Sequence, residues 1–190
     1  MHLKVGEEVP SFYGLDHEGK EWTYNSLVGK WTILHFQTHV GDDMFRQLAK
    51  MNKLFFASNG AFQVLGVSVI CRHNQSNFMN EQDLSFPVIC DEDLSIVRSF
   101  GIWQPFKSYH KSYMGVIPSI FIIDDKGCVT WEKTHLHSFE IANLVEPTLE
   151  TLGLLNNSLG QPDTNTSIEE DDEKEDVIEV LFEEELISRH

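Results

Sequence analysis

Residues 32–50 read TILHFQTHVGDDMFRQLAK, and this stretch predicts a buried strand, a sharp turn and a helix. The first five residues are mostly apolar, which is typical of a central strand. Residues 37–41 form a polar turn that ends in glycine. Asp42 and Asp43 follow at the predicted start of the helix, where free backbone N–H groups and the helix dipole favour negative charge. The junction is therefore the first candidate active site of the chain.

The rest of the chain alternates predicted strands and helices and then closes with a hairpin. An N-terminal hairpin around residues 17–20 comes before the central strand, and a helix over 42–58 follows it. Later segments are predicted as strands at 62–70 and 86–90, short helices at 74–83 and 91–100, a long aromatic loop at 102–115, a hairpin around 124–127, and a last helix over 138–155, bent or split at Pro147. This order predicts an α/β fold, with a mixed sheet and helices on both of its faces.

Charge divides the chain into two regions. The 190 residues carry a formal charge of −16, and residues 163–190 contribute −10 of it, from 12 acidic and two basic residues. We predict a folded domain over residues 1–155 and an acidic, mostly disordered tail over residues 156–190. Apolar residues return at 176–188, which predicts a short amphipathic or docking segment. The tail is interpreted either as a site for an unknown protein partner or as a solubilising extension.

Composition also excludes several classes of function. Nucleic-acid binding is excluded because it needs a basic patch. No stretch approaches the roughly 18 apolar residues that cross a bilayer, and residues 1–10 lack the apolar core of a signal peptide. The three cysteines include no close pair, which does not fit a secreted disulfide framework. We expect a cytoplasmic protein without a cofactor or a metal.

Aromatic residues crowd the predicted loop at residues 102–115. They are Trp103, Phe106, Tyr109 and Tyr113, with Met114 beside them. Exposed aromatic clusters tend to mark interfaces. The loop is therefore predicted to cap the core, to line a ligand groove or to form the surface of a homodimer.

Four segments in a fixed order resemble a known family. They are VGEEVPSFYGLDHEGKEWTYNSLVGKW (5–31), FQVLGVSVI (62–70), LSFPVICDEDLSIVRSFGIW (84–103) and KSYHKSYMGVIPSIFIIDDKG (107–127). The ordered set resembles the redoxins, which are thioredoxin-fold proteins of the peroxiredoxin (AhpC/TSA) group, and within them the bacterioferritin-comigratory type. The resemblance covers about residues 3–155. It implies a thioredoxin-like fold and a peroxiredoxin or thiol–disulfide oxidoreductase activity.

The candidate site departs from the pattern of that family. The resemblance implies a peroxidatic cysteine at the start of the helix, but Asp42 stands in its place, and the positions of a CxxC motif fall on Val40 and Asp43. Thr38 keeps the place of the family's threonine, while Pro118 stands in the place of its arginine. A carboxylate forms neither a sulfenic acid nor a disulfide. We therefore predict a degenerate site, no peroxidase activity, and a function in protein binding or assembly.

Cys71 and Cys90 offer an alternative chemistry. They end two predicted parallel strands, so both are expected at the same edge of the sheet as Asp42. Arg72 and His73 are expected to lower the pKa of the Cys71 thiol. The alternative function is a thiol-dependent oxidoreductase or antioxidant protein that uses this relocated pair. The competing interpretation is that both are ordinary core cysteines.

Pro118 and a group of polar residues give two further hypotheses. The resemblance implies a cis-proline that faces the active-site turn, so we expect a cis bond before Pro118, although a trans proline is also allowed at the start of a strand. His35, His39, Asp42 and Asp43 are ligand types that suit zinc or iron, but their spacing fits no known motif. Ordinary hydrogen-bonded roles are therefore favoured for these four.

Overall fold

The computed structural model describes residues 2–36, 42–69, 85–108 and 111–155, with the backbone alone at 42–45, 106–108, 111–112 and 138. The chain divides into two units, Met1–Leu155 and Asn156–His190. The second unit lies outside the described residues, so the disorder of the tail and the segment at 176–188 stay predictions. The helix predicted at 74–83 also lies outside them.

A seven-stranded mixed sheet organises the first unit, in the order β2-β1-β5-β4-β3-β8-β9. Its strands are β1 (Tyr13–Asp16), β2 (Glu21–Thr23), β3 (Trp31–Phe36), β4 (Phe62–Ser68), β5 (Val88–Cys90), β8 (Ser119–Ile123) and β9 (Val129–Thr134). Strands β3, β4 and β5 are parallel, while β1, β2, β8 and β9 pair antiparallel with their neighbours. The predicted α/β fold with a mixed sheet and two flanking hairpins is confirmed.

The helices lie on both faces of this sheet. Those in the described residues are α1 (Asp42–Ala57), α2 (Ser95–Ser99), α3 (Ser138–Glu140) and α4 (Glu146–Thr151), with a π-helical turn at Ile141–Val145 between the last two. Helix α1 packs with the C-terminal helices in one buried cluster, which includes Leu48, Met51 and Val145. Helix α2 contributes to the other cluster through Ile96 and Val97. Among the described residues, no helix has the length and apolar character needed to cross a membrane.

Strand β3 lies at the centre because its residues serve both clusters. Side chains alternate between the faces of a strand, so Ile33 packs on the side of α1 while Leu34 and Phe36 pack on the other side. The Phe36 ring lies 4.9 Å from that of Phe100 and 5.7 Å from that of Phe121. A strand that is buried on both faces needs a nearly continuous apolar sequence, which this one has.

The prediction of a long loop at residues 102–115 is wrong. The segment forms an antiparallel hairpin of β6 (Trp103–Ser108) and β7 (Lys111–Val116), in which Trp103 pairs with Val116. Pro105 argued against a strand, because proline has no N–H to donate to a neighbouring strand. Both strands of a two-stranded sheet are edge strands, and a proline is tolerated there. Val116 is buried and Trp103 packs against the core, so the base of the hairpin is anchored.

Two predicted helices differ from those observed. The helix predicted at 91–100 begins only at Ser95, because Leu94 has a left-handed conformation with φ of 62°. The last helix is interrupted by the π-helical turn, after which Pro147 lies in the first turn of α4. Proline is tolerated there because its missing N–H has no helical partner in that turn.

Candidate functional site

The candidate site lies at the edge of the sheet where the three parallel strands end. Strand β3 ends at Phe36, β4 at Ser68 and β5 at Cys90. Ser119 begins β8 and pairs with Phe36, while Cys90 pairs with Ser68. Helix α1 begins at Asp42, six residues after the last residue of β3. This edge, defined by Phe36, Ser68, Cys90 and Ser119, is termed the carboxyl edge below.

The structure places the predicted residues of the turn only in part. Thr38, His39 and Val40 lie outside the described residues. Asp42 and Asp43 form the first turn of α1, and their backbone alone is described. The carboxyl edge therefore holds the backbone position of Asp42 and, one strand beyond β4, the side chain of Cys90.

Pro118 has a trans peptide bond, so the expected cis bond is wrong. Pro118 immediately precedes β8. A proline is allowed at this position because pairing of the strands needs no N–H there. Its carbonyl accepts a hydrogen bond from Leu136 N at 3.0 Å, and the neighbouring Ser119 hydroxyl donates to Ile117 O at 2.8 Å. Proline carries no charge, so this position supplies no cation to the carboxyl edge.

Cys90 is part of a disulfide, whereas Cys128 is free. Cys71 lies outside the described residues. The Cys90 side chain is half-buried, and its Sγ lies 3.9 Å from Glu92 Oε1. Because a disulfide sulfur has no hydrogen to donate, this contact is a close approach of a carboxylate to the sulfur. The interpretation of Cys90 as an ordinary core cysteine does not hold.

Two aspartates fix the backbone that follows Cys90. Asp91 is buried and accepts hydrogen bonds from Ile96 N at 3.0 Å and from Val97 N at 2.8 Å. Burial raises the pKa of the Asp91 carboxyl. Asp93 accepts from Ser95 N at 2.9 Å, and its hydrogen bonds to Ser95 lower the pKa of the Asp93 carboxyl. The segment between Cys90 and α2 is thus held in one conformation.

His35 makes a buried polar bridge on the α1 face of the sheet. Its Nε2 lies 3.0 Å from Gln47 Oε1, and Gln47 Nε2 donates to Leu136 O at 3.3 Å. The amide nitrogen of Gln47 donates to Leu136, and the amide oxygen of Gln47 can only accept. The imidazole Nε2 of His35 therefore carries the hydrogen and donates it to Gln47 Oε1. Nδ1 is buried and has no hydrogen-bond partner among the described residues, and burial lowers the pKa of His35 to about 4. His35 is therefore neutral and joins β3, α1 and the segment before α3.

The metal hypothesis gains no support from the ranges that the structure describes. Within them, no group of three His, Cys, Asp or Glu side chains is arranged to hold a metal ion. The Nε2 of His35 faces Gln47. His39 and the carboxyl groups of Asp42 and Asp43 are not described.

A groove of about 620 Å³ lies at the opposite edge of the sheet, where β3 and β4 begin. Its lining includes four aromatic residues and two charged ones: Trp31, Phe55, Phe56, Phe62, Lys30 and Asp125. Phe56 is 65% exposed. The groove is a concave surface far along β3 from the carboxyl edge.

Sequence reasoning missed Gln47 and Glu92. Gln47 is a polar residue on the apolar face of α1, next to Leu48. That mismatch is a signal for a buried hydrogen bond, because an unpaired polar group is costly inside a core. Glu92 follows Cys90 by two residues, and only the structure shows that its carboxylate turns back to the sulfur.

Solved structures of known proteins share this fold. The chain superposes on the bacterioferritin comigratory protein of Xanthomonas campestris with a TM-score of 0.70 and 20% identity, over 79% of this chain and 97% of that one. For a mutant of the PrxQ protein of Xylella fastidiosa, the TM-score is 0.73 with 18% identity, over 80% and 99% of the two chains. These likenesses show the thioredoxin-like fold.

Sequence comparisons give the family. The chain is 24% identical to Peroxiredoxin Bcp of Bacillus subtilis over 159 residues, which are 80% of this chain and 96% of the relative. It is 27% identical to the thiol-disulfide oxidoreductase ResA of Bacillus anthracis over 133 residues, which are 67% of this chain and 68% of the relative. The AhpC/TSA family profile matches residues 5–132. The chain therefore belongs to the AhpC/TSA family of redoxins.

Proposed function

We propose that this chain is a redoxin that exchanges thiols and disulfides at Cys90 and does not reduce peroxides at the turn after β3. The disulfide of Cys90 at the carboxyl edge is the observation that carries the proposal. The half-buried sulfur is accessible to a small thiol. Membership of the family supports a redox function, and the relative ResA is named a thiol-disulfide oxidoreductase.

The sequence of the turn supports the absence of peroxidase chemistry. Residues 37–45 contain no cysteine, and α1 begins with two aspartates. Peroxide reduction in this chemistry needs a thiolate that becomes a sulfenic acid, which a carboxylate cannot do. Pro118, in the place of the family's arginine, supplies no charge to stabilise a thiolate. We therefore propose that the peroxidase site is degenerate and that the disulfide of Cys90 is the reactive group.

Cys71 is the proposed partner of Cys90. The chain has three cysteines, and Cys128 is free, so an intrachain bond leaves Cys71. Arg72 and His73 follow Cys71 in the sequence and would stabilise its thiolate when the bond opens. The pair then has an asymmetric chemistry, in which Cys71 is the better leaving group.

The proposed reaction balances within two thiols and one disulfide. A substrate thiolate attacks one sulfur of the pair, forms a mixed disulfide and displaces the other sulfur as a thiolate, which takes up a proton. A second substrate thiolate then attacks the substrate sulfur of the mixed disulfide. The products are a substrate disulfide and two thiols on the chain, so two electrons and two protons pass from the substrate.

An activity assay on the full chain tests this proposal. Reduction of a disulfide substrate by a dithiol, and consumption of hydrogen peroxide, are measured for the wild type, Cys90→Ser and Cys128→Ser. We expect exchange activity in the wild type and in Cys128→Ser, its loss in Cys90→Ser, and no peroxide consumption above the uncatalysed rate. Exchange that survives in Cys90→Ser, or cysteine-dependent turnover of peroxide, would overturn the proposal.

A second candidate function is binding without chemistry, which the aromatic groove favours. An exposed aromatic residue such as Phe56 is typical of an interface, and a second copy of the chain is the proposed occupant. Sedimentation equilibrium of the wild type, Phe56→Ser and Tyr13→Ser tests it, because Tyr13 is 57% exposed on a different element. We expect Phe56→Ser alone to lower the dimer fraction. A monomeric wild type at all concentrations rejects the homodimer.

The acidic tail stays a separate proposal for an unknown protein partner, in a cytoplasmic setting. Deletion of residues 163–190 is expected to abolish capture of that partner and to leave the melting temperature of the first unit nearly unchanged. A large fall in melting temperature would instead assign the tail a role in stability.

A further inference from the structure

We propose that the carboxylates following Cys90 make its disulfide selective for cationic thiols over anionic thiols. The inference rests on the thiol–disulfide exchange proposed above and names the class of substrate that this exchange accepts. The favoured substrate is a thiol with a positive charge close to its sulfur, such as a cysteine flanked by basic residues. Glu92 is the residue proposed to determine this specificity.

The position of Glu92 relative to the sulfur carries the proposal. Glu92 Oε1 lies 3.9 Å from Cys90 Sγ. Glu92 is exposed and Cys90 is half-buried, so both reach solvent on the same short segment. A thiolate that attacks Cys90 must bring its own sulfur, and the groups attached to it, close to this carboxylate. Charge on those groups therefore changes the energy of approach.

The residues that follow Cys90 add to the negative charge of Glu92. Asp93 is exposed, and its hydrogen bonds to Ser95 lower the pKa of the Asp93 carboxyl, so it is ionised at neutral pH. Between residues 85 and 100 the sequence has three acidic residues and one base, Arg98. The described part of the chain shows no ion pair between Arg98 and Glu92. The side of Cys90 that residues 85–100 form is thus acidic.

The backbone that carries Glu92 is also held in place beside the sulfur. Asp91, between Cys90 and Glu92, accepts hydrogen bonds from Ile96 N and Val97 N at the start of α2. Cys90 itself is held in β5 between Leu15 on β1 and Ser68 on β4. The Cα of Glu92 therefore stays two residues from a fixed sulfur position, which keeps its carboxylate within reach of the attacking thiol.

The size of the effect follows from Coulomb's law. A second charge on a small attacking thiol lies on the order of 7 Å from the Glu92 carboxylate, where one unit charge changes the rate about threefold in water at low salt. Between a thiol that carries a positive group and one that carries a negative group, the two factors multiply to about sevenfold, which residual screening at low salt lowers to about fivefold. Salt screens it, since the Debye length is about 10 Å at 0.1 M.

Reduction rates with three small thiols test the inference on the oxidised full chain. The probes are cysteamine, 2-mercaptoethanol and 3-mercaptopropionate, whose thiolates differ in net charge at similar size. Rates are measured at low and high salt for the wild type, Glu92→Gln and the matched control Glu150→Gln, an exposed residue of α4. Comparing the same probes across variants cancels their intrinsic difference in reactivity.

We expect Glu92→Gln, at low salt, to lower the ratio of the cysteamine rate to the 3-mercaptopropionate rate about fivefold. Glu150→Gln should leave this ratio unchanged, and high salt should reduce the ratio of the wild type. An equal ratio in the wild type and Glu92→Gln, with all three thiols active, would overturn the inference and leave thiol exchange standing. Failure of every thiol to reduce the chain would overturn thiol exchange itself.

Discussion

Replacing His35 with phenylalanine is expected to remove a large part of the acid sensitivity of folding. His35 is fully buried, and burial lowers its pKa from 6.5 to about 4. The folded chain therefore binds this proton less well than the unfolded chain does. The stability that depends on a neutral His35 is fully present above pH 6.5 and is lost as the pH falls from 6.5 to 4.

The magnitude follows from that change in pKa. Each pKa unit corresponds to about 1.4 kcal/mol, so the lowering of the His35 pKa to about 4 is worth about 3 kcal/mol over the whole range. Between pH 7 and pH 4.5 the linkage relation gives about 2 kcal/mol. Carboxyl groups with a lowered pKa, such as that of Glu132, also contribute stability to the folded chain that is lost in acid. They are present in both proteins and cancel in the comparison.

Urea unfolding of the full chain at pH 7 and pH 4.5 measures the difference. The free energy of unfolding of the wild type should fall by about 2 kcal/mol more than that of His35→Phe. At pH 7, His35→Phe should itself be less stable by about 1–3 kcal/mol, because Gln47 Oε1 loses its donor inside the core. The double variant His35→Phe/Gln47→Leu should recover part of this loss.

The reasoning is refuted if the wild type and His35→Phe lose the same free energy between the two pH values. That result would mean that His35 titrates alike in the folded and the unfolded chain, and that the bridge to Gln47 does not hold it neutral.

Two further predictions concern the support of the carboxyl edge and the sheet beside it. Asp91→Ala should lower the free energy of unfolding by about 1–2 kcal/mol, since it leaves the N–H groups of Ile96 and Val97 without an acceptor; an unchanged thermal midpoint would contradict it. Gly14→Ala should lower the free energy of unfolding by about 1–3 kcal/mol, because the added Cβ overlaps the Ile89 side chain. Chemical denaturation measures this change. An unchanged free energy of unfolding would contradict it and show that β1 moves to make room for the methyl group.

The sequence predicted the regular parts of the fold because their signals are local. Apolar spacing marked α1, which runs over Asp42–Ala57. Glycine at the turns marked both hairpins, and Gly19 and Gly127 indeed have φ of 81° and 84°. The hairpin at 103–116 was missed because residues 104–114 contain no glycine and because Pro105 argues against a strand. Its pairing depends on tertiary anchoring at Trp103.

The candidate site was predictable in its location but not in its chemistry. Parallel strands bring their ends to one edge, so the placement of Cys90 beside the end of β4 followed from topology. The oxidation of Cys90 and the approach of Glu92 depend on distances that no sequence pattern encodes. The same holds for His35, whose contact with Gln47 depends on how α1 sits on the sheet.

Counting alkylated thiols by mass spectrometry tests the central proposal most directly. The full chain is alkylated under denaturing conditions, once after air oxidation and once after reduction by dithiothreitol. Cys128 is free and Cys90 is in a disulfide, whose proposed partner is Cys71. We therefore predict one label on the oxidised wild type, three on the reduced wild type, and none on oxidised Cys128→Ser. Three labels on the oxidised wild type would contradict the account, since Cys90 would then have no disulfide to exchange.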